Sequence, residues 1–258
     1  MPRFFAVVMA VCFAIQSCAV AARDKAAPAP VNVAGEQRML TQRIVKLFCQ
    51  IGLNILPVPA GVQLSAARSR FEANMQTLKP LVSQSPRANQ AYQRLIEEWS
   101  AFRTFSMAPI SRDAAMALSR QSDSVLSAAE NLTRIIDDES SLVTSRLINI
   151  AGRQRMLSQR IASQYLLLSW GVESSAVRAS LETATNDFSA GLVKLTANKG
   201  NGDATRQELT EVAQQWEWLQ ASLSVEGASS YPLIVAESAD SILEATERIV
   251  QLYENDRR

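Results

Sequence analysis

Beyond about residue 30, apolar positions recur at three- and four-residue spacing, as in Leu118, Val125, Leu126, Leu132 and Ile135. That period marks amphipathic helices, and no run of alternating strand residues interrupts it. Breakers punctuate the pattern at Pro80 and Pro86, Pro109, Gly200 and Gly202, Gly227 and Pro232. The spacing therefore predicts helices near 31–53, 64–83, 87–106 and 112–139, then near 141–170, 174–198, 203–224 and 231–256. Two sets of four helices with short connections read as an all-α fold of two tandem four-helix up-and-down bundles, each able to hold its own core. One joint reads two ways. Gly152 is the one breaker between Ser111 and Gly171, which narrowly favours an unbroken helix through the joint. Such a rod would be about 90 Å long and would stack the bundles end to end. Alternatively, the acids of Asp137-Asp-Glu-Ser-Ser141 suit a new helix N-terminus and mark a turn that folds the bundles side by side.

The two sets are copies. Ala34-Gly-Glu-Gln-Arg-Met-Leu-Thr-Gln-Arg-Ile44 returns as Ala151-Gly-Arg-Gln-Arg-Met-Leu-Ser-Gln-Arg-Ile161, an offset of 151 − 34 = 117 residues. At the same offset Trp99 answers Trp216, and Asp123-Ser-Val-Leu-Ser-Ala-Ala-Glu130 answers Asp240-Ser-Ile-Leu-Glu-Ala-Thr-Glu247. Ser65-Ala-Ala-Arg-Ser-Arg-Phe-Glu72 resembles Ser175-Ala-Val-Arg-Ala-Ser-Leu-Glu182 at an offset of 110, which predicts a longer connection in the first copy around Pro57, Pro59 and Gly61. The units are read as 31–139 and 140–258.

Ahead of them, residues 1–22 have the shape of a secretory signal: Arg3, an apolar run from Phe4 to Ile15, then Ala19-Val-Ala-Ala22. Export to the periplasm is expected, with lipidation at Cys18 or an uncleaved anchor as the lesser alternatives. Residues 23–30 read as a Pro/Ala linker. Without the signal the chain has 25 basic and 25 acidic residues, a balance that argues against nucleic-acid binding. Cys49 is then the one cysteine, expected as a buried apolar filler. There is no histidine, which removes Ser-His-Asp and Cys-His catalysis, His-bearing zinc sites and Glu-x-x-His di-iron motifs. The acidic pairs Glu97/Glu98 and Asp137/Asp138 fall on polar helix faces and read as solvated. No catalytic residue, metal ligand or cofactor is predicted, and the chain reads as a non-enzyme.

What the box repeats is polar: Gln37, Arg38, Gln42 and Arg43 against Gln154, Arg155, Gln159 and Arg160. On a helix, Leu147, Ile150, Ala151, Leu157, Ile161 and Tyr165 share the core side, while Gly152, Arg155 and Gln159 form a separate stripe that Gly35, Arg38 and Gln42 repeat. A mid-helix glycine costs roughly 1 kcal/mol against alanine, so its double use implies close approach by another helix. If two stripes meet, two arginines face each other, and a small planar oxyanion held by both guanidinium forks relieves the repulsion. Against this stands the plainer reading of a solvated face or arginines paired with neighbouring acids. Arg43 and Arg160 lie about 140° from the stripe and are expected to pair with bundle carboxylates. Trp99 and Trp216 read as core anchors.

The Ala-Gly-x-Gln-Arg-Met-Leu-Ser/Thr-Gln-Arg-Ile box resembles that of the periplasmic sensor domain of the type IV pilus methyl-accepting chemotaxis transducer, a family that takes in the nitrate/nitrite sensor histidine kinases. The resemblance covers about residues 31–139 and 148–256. It implies four-helix sensor bundles in which an anion binds between the first helices of two subunits, through the arginine before methionine, here Arg38 and Arg155. Where the nitrate sensors have a lysine before Ala-Gly, this chain has Val33 and Ile150. With no signalling module expected after residue 258, the protein would detect and need a partner to transmit, a membrane sensor or pilus-associated protein. The rival is an interaction module whose box faces dock a partner's helix with no small ligand; a plain structural spacer is the third reading. Side-by-side bundles would make one internal pseudo-dimer, whereas stacked bundles would need a homodimer to complete each site.

Overall fold

A computed structural model describes residues 29–140, 143–172, 174–223 and 231–256. The expected signal and most of the linker lie outside the described residues. Among the described residues eight helices follow in order: α1 (Pro30–Gly52), α2 (Pro57–Val82), α3 (Pro86–Ser106), α4 (Arg112–Glu139), α5 (Val143–Ser169), α6 (Ser175–Thr196), α7 (Asp203–Leu223) and α8 (Tyr231–Asn255). Their starts have local causes. Prolines open α1, α2 and α3 in the first turn, where a missing N–H costs nothing. Ser85, Ser111 and Ser174 cap α3, α4 and α6 by accepting from Ala88, Ala114 and Val177 N–H.

The first four helices form one up-and-down bundle and the last four another. α1 packs on α2 and α4, and α3 packs on α4. The same ring repeats with α5, α6, α7 and α8. Across the bundles α1 lies against α5, the most extensive helix contact in the molecule. The two run parallel. Arg38 reaches Asn149 near their starts, and Gly52 meets Trp170 at their ends. α1 is thereby walled on three sides, and 18 of its 23 residues are buried.

Three expectations need correction. The continuous rod is absent: α4 ends at Glu139 with Ser140 extended, and α5 begins at Val143. Asp137 turns back to accept from Ser145 Oγ at 2.7 Å and Asn149 Nδ2 at 2.8 Å, tying the start of α5 to the end of α4. An acid suits that helix start, so the turn reading prevails and the bundles sit side by side. The second correction concerns register. Phe71 stacks on Trp99 with ring centroids 3.8 Å apart, and Phe188 packs on Trp216 at 4.3 Å. Phe71 and Phe188 are 117 apart, so the offset of 110 is a chance likeness and the first copy has no insertion. Third, Pro57, Pro59 and Gly61 lie inside α2, which starts seven residues earlier than expected. The turn before it is sharp, with Asn54 and Leu56 at φ of 58° and 44°.

The tryptophans are core anchors, 7% and 5% exposed. Cys49 is buried and unpaired, and burial pushes its thiol pKa up, as a filler's would be. No helix among the described residues is long and apolar enough to cross a membrane.

Candidate functional site

The contact between α1 and α5 buries both boxes. Arg38 and Arg155 are each 1% exposed, and Gln42 and Gln159 are fully covered. The stripe expected to meet its copy does meet it. The glycines serve the guanidinium groups as much as the helix approach. A Cβ on Gly35 would stand 3.0 Å from Arg38 Nη2. One on Gly152 would stand 3.3 Å from Arg155 Nη2 and 3.5 Å from Arg38 Nη2. Both arginines therefore lie over one bare patch of α5.

Each arginine has two kinds of partner, and the pattern is the same in both repeats. Arg38 Nη1 pairs with Glu130 of its own bundle at 2.8 Å, and Arg155 Nη1 pairs with Glu247 of its own bundle. Across the seam, Arg38 Nη2 donates to Asn149 Oδ1 at 2.9 Å, and Arg155 Nη2 donates to Asn32 Oδ1 at 2.6 Å. The asparagines are held in turn. Asn149 Nδ2 donates to Asp137, and Asn32 Nδ2 donates to Glu254. Every pair in this network is related by the offset of 117. It forms a pseudo-twofold lattice in which each half lends an amide to the other half's arginine.

Arg43 and Arg160 do pair with carboxylates as expected, but with those of the opposite repeat. Arg43 meets Asp240 at 2.8 Å and Arg160 meets Asp123 at 2.9 Å. Lys46, fully buried, joins Asp240 at 2.5 Å, and Gln159 Nε2 donates to Asp240 and to the Ala239 carbonyl. Gln159 thus serves the acid and α8 rather than the arginine pair. Both amide atoms of buried Gln42 lack a partner among the described residues.

The electrostatics follow from this crowding. Burial lowers the Arg38 pKa, Glu130 opposes that, and the nearby cations Arg153 and Arg155 add to the lowering. Burial alone would raise the Glu130 carboxyl, but Arg38 and Arg153 overcome it and hold it below the usual range. For Asp240, Lys46 and Arg43 overcome burial in the same way. The two arginines do face each other with like charge, as the stripe implied. The protein's own glutamates, 41% and 38% exposed, supply the counter-charge.

The box does not offer itself to an outside helix. With Arg38, Gln42, Arg155 and Gln159 enclosed between α1 and α5, docking of a partner through the box faces does not fit this arrangement. Asp137 is no solvated acid either, since it orders the seam through Ser145 and Asn149. Residues that the box alone did not reveal are Asn32, Asn149, Glu130, Glu247 and Glu254. All recur at the offset of 117, with Asp137 as the counterpart of Glu254. Glu130 and Glu247 close the second repeated segment.

No curated protein and no solved structure matches the chain. The family model described as type IV pili methyl-accepting chemotaxis transducer N-term matches residues 20–129 and again 139–251. The two matches take in most of the chain and carry one box each, meeting at the arginine seam. The chain therefore belongs to the type IV pili methyl-accepting chemotaxis transducer N-terminal (PilJ) family, as two tandem copies of its helical sensor domain.

Proposed function

We propose that this chain is an exported, periplasmic, non-enzymatic sensor-like protein that binds a small nitrate- or nitrite-like anion at the seam between its two copies. In this reading residues 31–139 and 140–258 are the two units, and α1 and α5 stand in for the paired first helices of a sensor dimer. Arg38 and Arg155 hold the anion. Gly35 and Gly152 leave room for the guanidinium groups. Gln42 lines the same face with its amide unengaged among the described residues, and Gln159 stands at the equivalent place with its amide given to Asp240 and α8. Arg43 and Arg160 fasten the seam. One observation carries the reading: both buried guanidinium groups bring a terminal nitrogen within 3.5 Å of one point over Gly152.

A built-in exchange follows. Glu130 and Glu247 each neutralise an arginine of their own bundle and are themselves partly open to solvent. The arginines are not, so an incoming anion replaces carboxylate rather than water. Charge-assisted hydrogen bonds within each bundle are then exchanged for bonds that span two bundles. Since α4 and α8 carry the displaced acids, binding biases how those helices sit against α1 and α5, which is what a sensor requires. Signalling would pass to a membrane receptor or pilus-associated partner through surfaces other than the buried boxes.

Calorimetric titration with nitrate, nitrite and other oxyanions tests this. Heat with at least one anion is expected, together with a raised melting temperature. No heat and no thermal shift with any of them, in folded protein, overturns the anion reading. Arg155→Ala should abolish the binding; unchanged affinity removes that residue from the site.

A further inference from the structure

Because the copies correspond residue by residue, their departures from symmetry carry information. Glu36 and Arg153 are equivalent positions, as are Arg70 and Asp187. The first copy pairs Glu36 with Arg70 at 2.9 Å, and the second pairs Arg153 with Asp187 at 3.0 Å. It is one ion pair with its charges reversed. The reversal is felt at the seam. Arg153 also reaches Glu130 at 3.1 Å, so Glu130 is held by two arginines. Among the described residues Glu247 has Arg155 alone at ion-pair distance, with Arg70 acting on it only from further off, and the position matching Arg153 is acidic.

The second tier of the seam leans the same way. Lys46 has Ser163 as its counterpart. Asp240 therefore takes Arg43, Lys46 and Gln159, whereas Asp123 takes Arg160 and is 63% exposed. In both tiers the acid serving an α1 arginine is multiply held, and the acid serving an α5 arginine is singly held. An independent observation agrees. Among the four box arginines, buried N–H groups without a partner among the described residues occur on Arg155 (Nε) and Arg160 (Nη1), both on α5, whereas Arg38 Nε has a long bond of 3.5 Å to the Gly35 carbonyl.

We propose that the duplication has divided the box arginines: Arg38 is a fixed cation that clamps α1 through Glu130, and Arg155 is the one that receives the anion, with Glu247 giving up its place. This rests on the anion reading above. The chemistry favours it, because a planar oxyanion takes two parallel N–H bonds from one guanidinium edge, and the unpartnered Nε–H of Arg155 is half of such an edge. At Arg38 the exchange would also have to break the Arg153–Glu130 bond.

The test uses the whole mature chain, sodium nitrate and sodium nitrite as probes, and lysine substitutions that keep the charge. Arg155→Lys should weaken binding by more than about tenfold, and Arg38→Lys several times less, since only the first loses the forked contact. Glu247→Gln should tighten binding by removing the competing charge. A paired exchange, Arg153→Glu with Asp187→Arg, keeps the α5–α6 ion pair and frees Glu130. In that background the two lysine substitutions should become equally damaging. Equal losses in the unaltered chain, or no tightening with Glu247→Gln, overturn the division of roles while leaving anion binding standing. Silence of the unaltered chain towards every oxyanion overturns the anion reading itself, and the ligand role of Arg155 with it.

Discussion

Lys46 sits fully buried in the seam, 2.5 Å from Asp240, where burial lowers its pKa from 10.5 to about 8 against the opposing pull of Asp240, with Arg43 adding to the lowering. In the unfolded chain it keeps its proton until near 10.5. Between those values the unfolded state binds more protons, so stability should rise as pH climbs from about 8 towards 10.5. Below pH 8 the cost of the buried ammonium is present in full. Urea unfolding at about pH 7 and about pH 9.5 should show a gain on the order of 1–2 kcal/mol. Lys46→Met should lose most of that gain, because Asp240 keeps Arg43 and Gln159. Equal gains in both proteins would exclude Lys46 as the source. Cys49 should stay silent in that window, its thiol raised by burial, and should resist an aromatic disulfide reagent until the protein unfolds. Legibility was uneven at this scale. The meeting of Arg38 with Arg155 could be read from the stripe, since glycine and arginine at fixed spacing define a face. Their partners could not. Arg38 takes the acid of its own repeat and Arg43 takes the acid of the other, and a linear sequence with both acids duplicated does not distinguish them.

Helix against helix, a close fit against a rigid ring lies at the far end of α1. A Cβ on Gly52 would stand 2.0 Å from Trp170 Cη2, so Gly52→Ala should force the indole aside and destabilise by roughly 1–3 kcal/mol. Gly61, inside α2, has nothing within 4 Å of its would-be Cβ. Gly61→Ala should therefore stabilise by up to about 1 kcal/mol through helix propensity. Thermal melts of the two variants check the contrast; a shift of one sign in both would refute the packing argument. The same helices show where sequence reading succeeds. Long amphipathic spans such as α3 and α4 were legible because their periodicity and serine caps agree. The start of α2 was not, because Pro57 and Pro59 signal a loop and a helical first turn alike. The break after Glu139 was only half legible. The local pattern there is helical, and the turn is fixed by Asp137 reaching residues of the next helix.

For the whole molecule, the seam makes each bundle a poor candidate for life alone. α1 gives Asn32, Arg38, Arg43 and Lys46 to partners on α5 or α8, and it takes Asn149 and Asp240 in return. Cut away from the second copy, residues 29–140 would lose the α5 cover of α1 and expose the apolar surface beneath it, too costly for a stable monomer. The fragment has one ready remedy. In a parallel pair of first copies, Arg38 of one chain meets Asn32 of the other, and Arg43 meets Asp123, which are the seam's own bonds repeated by symmetry. Residues 29–140 made alone should therefore elute as a dimer by light scattering, or fail to fold, while the whole chain elutes as a monomer. A folded monomer of the fragment at micromolar concentration would mean that the seam is dispensable to each bundle. The copies would then be separate domains in contact, and exchange of bonds at Arg38 and Arg155 would have no rigid body to move.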